Sequence, residues 1–347
     1  MKKIAISLCA LALMVGAVSC KKEKEEPRVE NPVPVYAEGI YHPTMKIATV
    51  SEDGEQTQQW LWEGDNLDKI LATNGENVTY NYSGGYISSV ATAGDRTEEI
   101  RYYYYDNHSF KSCEIYYDGN KAVTMVFSHS AAGKISRAEV SIEDSFLLSL
   151  AGDLLGFGSG FEKLVGRPAA ESMIMMAKIA HAQGTKFSVG EKVITATVDW
   201  TGENVSKLML NASVNLTIDT NDLNLVRQFI DIPEEILPII QLAMAYGGGL
   251  PLTLAVNDTI SSTFDDNYNP MFCNWGMMVS PETLSLNNIL TQTNKGGVSV
   301  SVSMMGQTRE LFNNPMDDYT EYLYEYNDKK YPTRVSGDAE REYTYKQ

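Results

Sequence analysis

The sequence predicts a mainly β protein: one large antiparallel meander closing into a barrel or half-barrel, with helical insertions packed on its concave side. Three observations carry this. A short aromatic hairpin pattern recurs along the chain. Two stretches alternate apolar and polar residues over many positions, and two others switch from a period of 2 to a helical period.

The hairpin unit reads WLWEGDNLDKIL at 60–71: aromatics two apart, a turn, then an apolar pair. YNYSGGYISSV (80–90), YYYDNHSFKSC (103–113), VDWTGENVSKL (198–208) and YEYNDKKYPTRV (324–335) repeat it, and FSHSAAGKISRAEV (127–140) is a weaker copy. Residues at i and i+2 share a face of a strand, and Gly, Asn and Asp supply the turn dihedrals. Consecutive units make a meander with at least one wetted face. Trp60, Trp62, Tyr80, Tyr82, Tyr103 and Tyr105 are candidates for stacking on a glycan or protein ligand if they share an outer face. Cross-strand pairing for stability is the competing role.

Lys207 to Asp219 is the longest strand candidate, with Leu208, Leu210, Ala212, Val214, Leu216 and Ile218 on one face. VSVSVSMM (298–305) alternates as cleanly. Long strands with one apolar face belong to barrels and large curved sheets. The helical insertions fall at about 143–183 and 222–246. In the first, Phe146, Leu150 and Leu154 have helical spacing and a helix between Pro168 and Gly184 is apolar on most sides. In the second, Phe229, Ile240 and Met244 would face a core, with a kink at Pro238. These greasy segments are expected to fill the concave side of one domain spanning 40–347.

The chain begins with Lys2, Lys3 and an apolar run from Ile4 to Val18, the length of a signal peptide (1–19) and short for a membrane span. Ala17-Val18-Ser19-Cys20 resembles the lipobox of bacterial lipoproteins, in which the cysteine carries the lipid; Ala17 stands where leucine is usual. The resemblance implies lipid attachment at Cys20. Lys21 to Glu26 resembles the charged tag of surface-exposed Bacteroidetes lipoproteins, which implies an outer-membrane anchor facing outward, with the periplasmic face as the alternative. Pro27, Pro32 and Pro34 favour extended backbone, so 20–39 reads as lipidated cysteine and tether. With the leader removed, 26 basic residues face 45 acidic ones, a formal charge of −19. Such a body repels nucleic acid and anionic membrane surfaces.

Lipobox, tether, aromatic hairpins and the Tyr324-x-Tyr326…Tyr331-Pro332-Thr333 segment together resemble a family of Bacteroidetes lipoproteins of unknown function described as having a porin-like fold. The resemblance implies an antiparallel barrel-like body and transfers no catalytic residue. A spanning porin is not expected: an anchor would be redundant, helical inserts are unusual between its strands, and 134–142 puts Lys134 on one face and Arg137 and Glu139 on the other.

Chemistry-bearing motifs are sparse. His42, His108, His129 and His181 have no partner at ligand spacing, and no metal or cofactor is expected. FDDNYNP (264–270) gathers Asp265, Asp266, Asn267 and Asn269 but lacks the Gly and Glu of a calcium loop, so a turn is expected. GFGSG (156–160) and GGG (247–249) lack a following Lys-Ser/Thr and are not phosphate loops. Cys113 and Cys273 either pair as a disulfide or are separate buried thiols. The expectation is an envelope lipoprotein with a non-enzymatic binding or structural role. The alternatives are a carbohydrate-active hydrolase using dispersed carboxylates, or an accessory subunit of an outer-membrane complex.

Overall fold

The computed structural model describes residues 33–94, 97–144, 146, 186–219, 234, 237–238, 240–241, 250–277, 279–304, 307–337 and 340–346. The expected leader, Cys20 and residues 20–32 of the expected tether lie outside these. So do most of the two helical insertions, with His181 and both glycine-rich stretches.

Among the described residues, seventeen strands form one antiparallel sheet. The first nine are short: β1 (Ile47–Glu52), β2 (Glu55–Glu63), β3 (Asn66–Ala72), β4 (Asn77–Ser83), β5 (Tyr86–Ala93), β6 (Thr97–Tyr104), β7 (Phe110–Tyr117), β8 (Asn120–His129) and β9 (Ile135–Ile142). Five long strands follow: β10 (Lys186–Thr201), β11 (Asn204–Asp219), β12 (Leu250–Tyr268), β13 (Asn287–Met304) and β14 (Gln307–Glu321). β15 (Leu323–Tyr326), β16 (Pro332–Ser336) and β17 (Arg341–Tyr345) complete the set. The meander is as expected, each strand from β1 to β14 pairing with the next, and β17 returning to β1. Tight turns follow the local sequence: Asp53-Gly54 and Asp118-Gly119 both have positive φ at the two central positions, which suits the right-handed twist of hairpins.

Closure into a barrel is not observed. β10 to β14 run 15–19 residues, and the others 4–10. β9 meets β10 over only three residue pairs, Arg137–Glu139 against Thr195–Thr197. The long strands therefore outrun their short neighbours and extend as an open five-stranded sheet. One face of it is apolar, in rows such as Ala212–Val256–Val298, Val214–Leu254–Val300 and Leu216–Leu252–Val302. The other carries Ser213–Ala255–Ser299 and Asn215–Thr253–Ser301. Each fully buried Val or Leu in the inner rows is worth about 1.5–3 kcal/mol over exposure, which fixes the register.

The concave side is filled by irregular chain. Residues 36–46 and 269–286 pack against the inner faces of the short strands, with Tyr41, Phe272, Trp275 and Leu284 buried. The second segment holds a 3-10 turn (Trp275–Met277) and a single helical turn, α1 (Pro281–Leu284). Ser280 caps α1, and Ser280 and Thr283 side chains satisfy each other's backbone N–H groups. This moves one expected boundary: residues 36–39 belong to the folded body, not to the tether. Of the expected helical fillers, Phe146, Leu237 and Ile240 are described and join the same core.

Candidate functional site

Four of the six candidate stacking aromatics face inward. Trp60 and Tyr80 are buried in the core, and Trp62 and Tyr82 pack against it. Only Tyr103 and Tyr105 are exposed, at 42% and 45%. In the run of tyrosines at 102–105 the inward pair is Tyr102 and Tyr104. A register shift just before the second aromatic recurs in the hairpins, between Leu61 and Trp62, Asn81 and Tyr82, Tyr103 and Tyr104, and Asp199 and Trp200. This β-bulge turns the second ring onto the neighbouring strand. Trp62 Nε1 donates to Ile47 O (2.7 Å), Tyr82 Oη to Leu67 O (2.8 Å), Tyr104 Oη to Ile87 O (2.5 Å) and Trp200 Nε1 to Ile135 O (2.7 Å). The first rings tie to the filler: Tyr80 Oη donates to Asn274 Oδ1 (2.8 Å) and Tyr102 Oη to Trp275 O. The repeated aromatics thus lock strand to strand and sheet to filler.

One step of this staircase is different. In the β8–β9 hairpin the register shift falls between Ser128 and His129, so His129 holds the position of the second ring. Its Nε2 lies 3.0 Å from both oxygens of the Glu38 carboxylate. Glu38 is 7% exposed and also accepts from Tyr36 Oη (2.9 Å) and from Phe110 N. On either side, Trp275 Nε1 donates to Ala37 O (3.0 Å) and Ile87 N to Gly39 O (2.7 Å). Gly39 has φ +72°, and a Cβ there would lie 2.2 Å from Tyr104 Oη. Glu38 and His129 therefore clamp the N-terminal strap in place. His42 bonds Asn66 Oδ1 at 3.0 Å, and His108 stacks on Tyr86 with ring centroids 4.5 Å apart.

The disulfide alternative is corrected: Cys113 and Cys273 are free thiols, both buried, and burial pushes each up to about 12. In the acidic turn, Asp265 accepts from Asn267 N (3.0 Å), Asn288 N (3.1 Å) and Tyr326 Oη, while Asn269 Nδ2 donates to Glu282 O (2.6 Å) and Ser285 O (2.9 Å). These side chains knot the filler to β13 and β15, and the expected turn is corrected: Asp265, Asp266 and Asn267 lie in the irregular last residues of β12, where the register with β13 shifts between Phe264 and Tyr268. No group of His, Cys, Asp and Glu that could hold a metal occurs among the described residues.

Among the described residues, two acids are raised by burial. Burial raises Glu282 to about 7 against the opposing pull of Arg341. It lines a cavity of about 20 Å³ with Asn269, Asn288, Tyr324 and Tyr343, room for one water and no substrate. Asp258 on β12 is raised to about 6, by burial first and by Asp318 last, with Asn294 and the Thr259 backbone opposing.

Asp258 sits in a polar track on the inner face of the long-strand sheet. The inward positions of β12 run Leu254, Val256, Asp258, Ile260, Ser262. Asp258 faces Gly296 across β13, which offers no side chain, and Ile260 faces Asn294. Asn294 in turn faces Asp318 on β14, and Gln292 faces Thr320. Asp258 and Ser262 are 8% and 9% exposed, and Asp258 Oδ1, Ser262 Oγ and Asn294 Oδ1 are buried without a hydrogen-bond partner among the described residues. A buried polar atom left unmade costs about 1–3 kcal/mol, so three along one face is a costly arrangement. Asp318 at the β14 edge is exposed, so the track opens to solvent there. This was not identified in the sequence. The signal was present in LAVNDTISSTF, where Asp and Ser take inward parity after Leu and Val.

Fold and track define a large single-sheet β protein whose long-strand inner face is buried and apolar, interrupted by one polar track. No protein-family model and no curated protein matches the chain. Among solved structures, a porin-like protein from Bacteroides uniformis is similar at 12% identity, with 86% of this chain and 91% of that chain covered and a TM-score of 0.23.

Proposed function

We propose that this protein is a lipoprotein of the outer membrane, anchored through Cys20 and displayed at the cell surface, whose β body binds a polar ligand and catalyses no reaction. The observation that carries the binding role is the track of unpartnered oxygens at Asp258, Asn294 and Ser262 beside exposed Asp318. Buried polar groups are ordinarily satisfied, and exceptions concentrate where a ligand completes them. The outward rows of Ser, Thr and Asn on β11 to β13 support a body in water, since a spanning barrel turns its apolar residues outward. The anchor rests on the lipobox-like Ala17-Val18-Ser19-Cys20.

Mass spectrometry of the membrane-extracted chain tests the anchor: an acylated N-terminal Cys20 is expected, and an unmodified one refutes it. Protease treatment of intact cells is expected to degrade the body; full protection places it on the periplasmic face. The acid pair Asp258 and Asp318 favours one second reading, glycoside hydrolysis by two carboxylates. Turnover of oligosaccharides that is abolished in Asp258→Asn would establish it in place of simple binding.

A further inference from the structure

We propose that the inner-face track of β12–β14 is a binding site for an extended organic cation, an aliphatic polyamine in chemical class. This rests on the reading of the track as a ligand site and names what it takes.

Chemistry of the lining decides the class. Of the three orphan atoms, Asp258 Oδ1 and Asn294 Oδ1 can only accept, and Ser262 Oγ can accept as well as donate, so a ligand that brings donors satisfies all three. Asn294 Nδ2 is already directed at Met316 Sδ (3.7 Å), the Asn294 side chain and the Thr259 backbone already hydrogen-bond the Asp258 carboxylate so that only its Oδ1 is left, and Gln292 Oε1 already accepts from Tyr322 Oη (3.1 Å). A protonated amine offers N–H donors and no acceptor, which matches a lining of acceptors; hydroxyls would want donors in return. Charge agrees. Asp258 and Asp318 are the ionisable groups of the rows at the track, and Arg309, in the Val302 row, lies at the far end of β14. Lys295, the nearest cation along β13, points to the outer face and pairs with Asp317 at 3.3 Å. The opposite neighbour of Asp258, on β11, is Leu210, which offers an apolar wall for methylenes.

Length excludes a single metal ion. Asp258 and Ser262 are four residues apart on one strand, about 13 Å at 3.3 Å per residue. One ion with oxygen ligands at about 2.3–2.6 Å cannot serve both. A chain with separated nitrogens can, one near Asp258 and Asp318 and another toward Ser262.

Isothermal titration calorimetry on the full-length, detergent-solubilised protein tests this, with spermidine as probe and ethylamine, calcium chloride and a linear oligosaccharide as comparators. Spermidine is expected to bind at least about tenfold tighter than ethylamine. The isosteric Asp258→Asn is expected to weaken spermidine about tenfold, and Ser262→Ala to weaken it several-fold without affecting ethylamine. Near-UV circular dichroism confirms that each variant is folded. Spermidine binding that is unchanged in Asp258→Asn would mean general attraction to an acidic surface and overturns the proposal. Oligosaccharide binding lost in Asp258→Asn, with none of spermidine, overturns the amine class and keeps the ligand site. If no probe binds and Asp258→Asn simply stabilises the fold, both readings fall.

Discussion

Glu38→Ala should be among the most damaging substitutions in the chain, although Glu38 lies in what reads as a tether. Its side chain is 4% exposed and its carboxylate receives Tyr36 Oη, Phe110 N and His129 Nε2. Truncation leaves these three donors in a site that water does not reach. Hydrogen bonds to a charged group are worth about 1.5–3 kcal/mol each, but three on one carboxylate are not additive. Each buried donor left unpaired costs about 1–3 kcal/mol, so a loss of about 3–5 kcal/mol is expected. At a urea slope of about 3 kcal/mol/M the midpoint falls by about 1–2 M. His129→Phe keeps an aromatic ring in the staircase and removes one donor, so its cost should be smaller, about 1–3 kcal/mol. The double variant should cost less than the sum by at least about 1 kcal/mol, because the two side chains touch. Urea denaturation followed by tryptophan fluorescence reads all four proteins. A Glu38→Ala loss below about 1 kcal/mol, or strict additivity with His129→Phe, would refute the clamp and return residues 36–39 to the tether.

Three further outcomes are expected. Trp60→Ala should cost about 3–5 kcal/mol as a large-to-small change in the core, while Tyr103→Ala, on the outer face, should cost under about 1 kcal/mol; comparable losses in chemical denaturation would contradict the inward assignment. Glu282 has its folded value raised from 4.5 to about 7, so its ionised form opposes folding. Wild-type stability should therefore fall as pH rises from about 4.5 to 7 by about 1–3 kcal/mol, and Glu282→Gln should flatten that fall; parallel melting curves across the range would rule this out. Cys113 and Cys273 should resist thiol reagents at pH 8 in the native chain and both react in urea without reductant; if reductant is needed, the thiols are paired.

Much of the fold was legible in the residues because it is local. Alternation over Lys207–Asp219 and 298–305 specifies strands by nearest-neighbour geometry; the first lies in β11, and residues 298–304 of the second lie in β13. Hairpin turns at Glu63–Asn66 and Ser83–Tyr86 follow from residues that tolerate positive φ. The candidate site was far less legible. At 102–105 every position is tyrosine, so a period of 2 cannot say which pair points inward, and only the bulge before Tyr104 decides it. Asp258 and Ser262 looked like ordinary polar strand residues until pairing with β13 fixed their face.

By itself, then, the sequence determined the β class, the meander of short hairpins and the strand character of 207–219 and 298–304, since each depends on residues within a turn or a strand of one another. Tertiary structure alone decided the rest. It fills the concavity with 36–46 and 269–286, joins Glu38 to His129 across 91 positions, separates Cys113 from Cys273 and leaves the long strands open beyond their short neighbours. Those outcomes come from fitting buried volume and satisfying buried polar atoms over the whole sheet at once, and no local pattern encodes that fit.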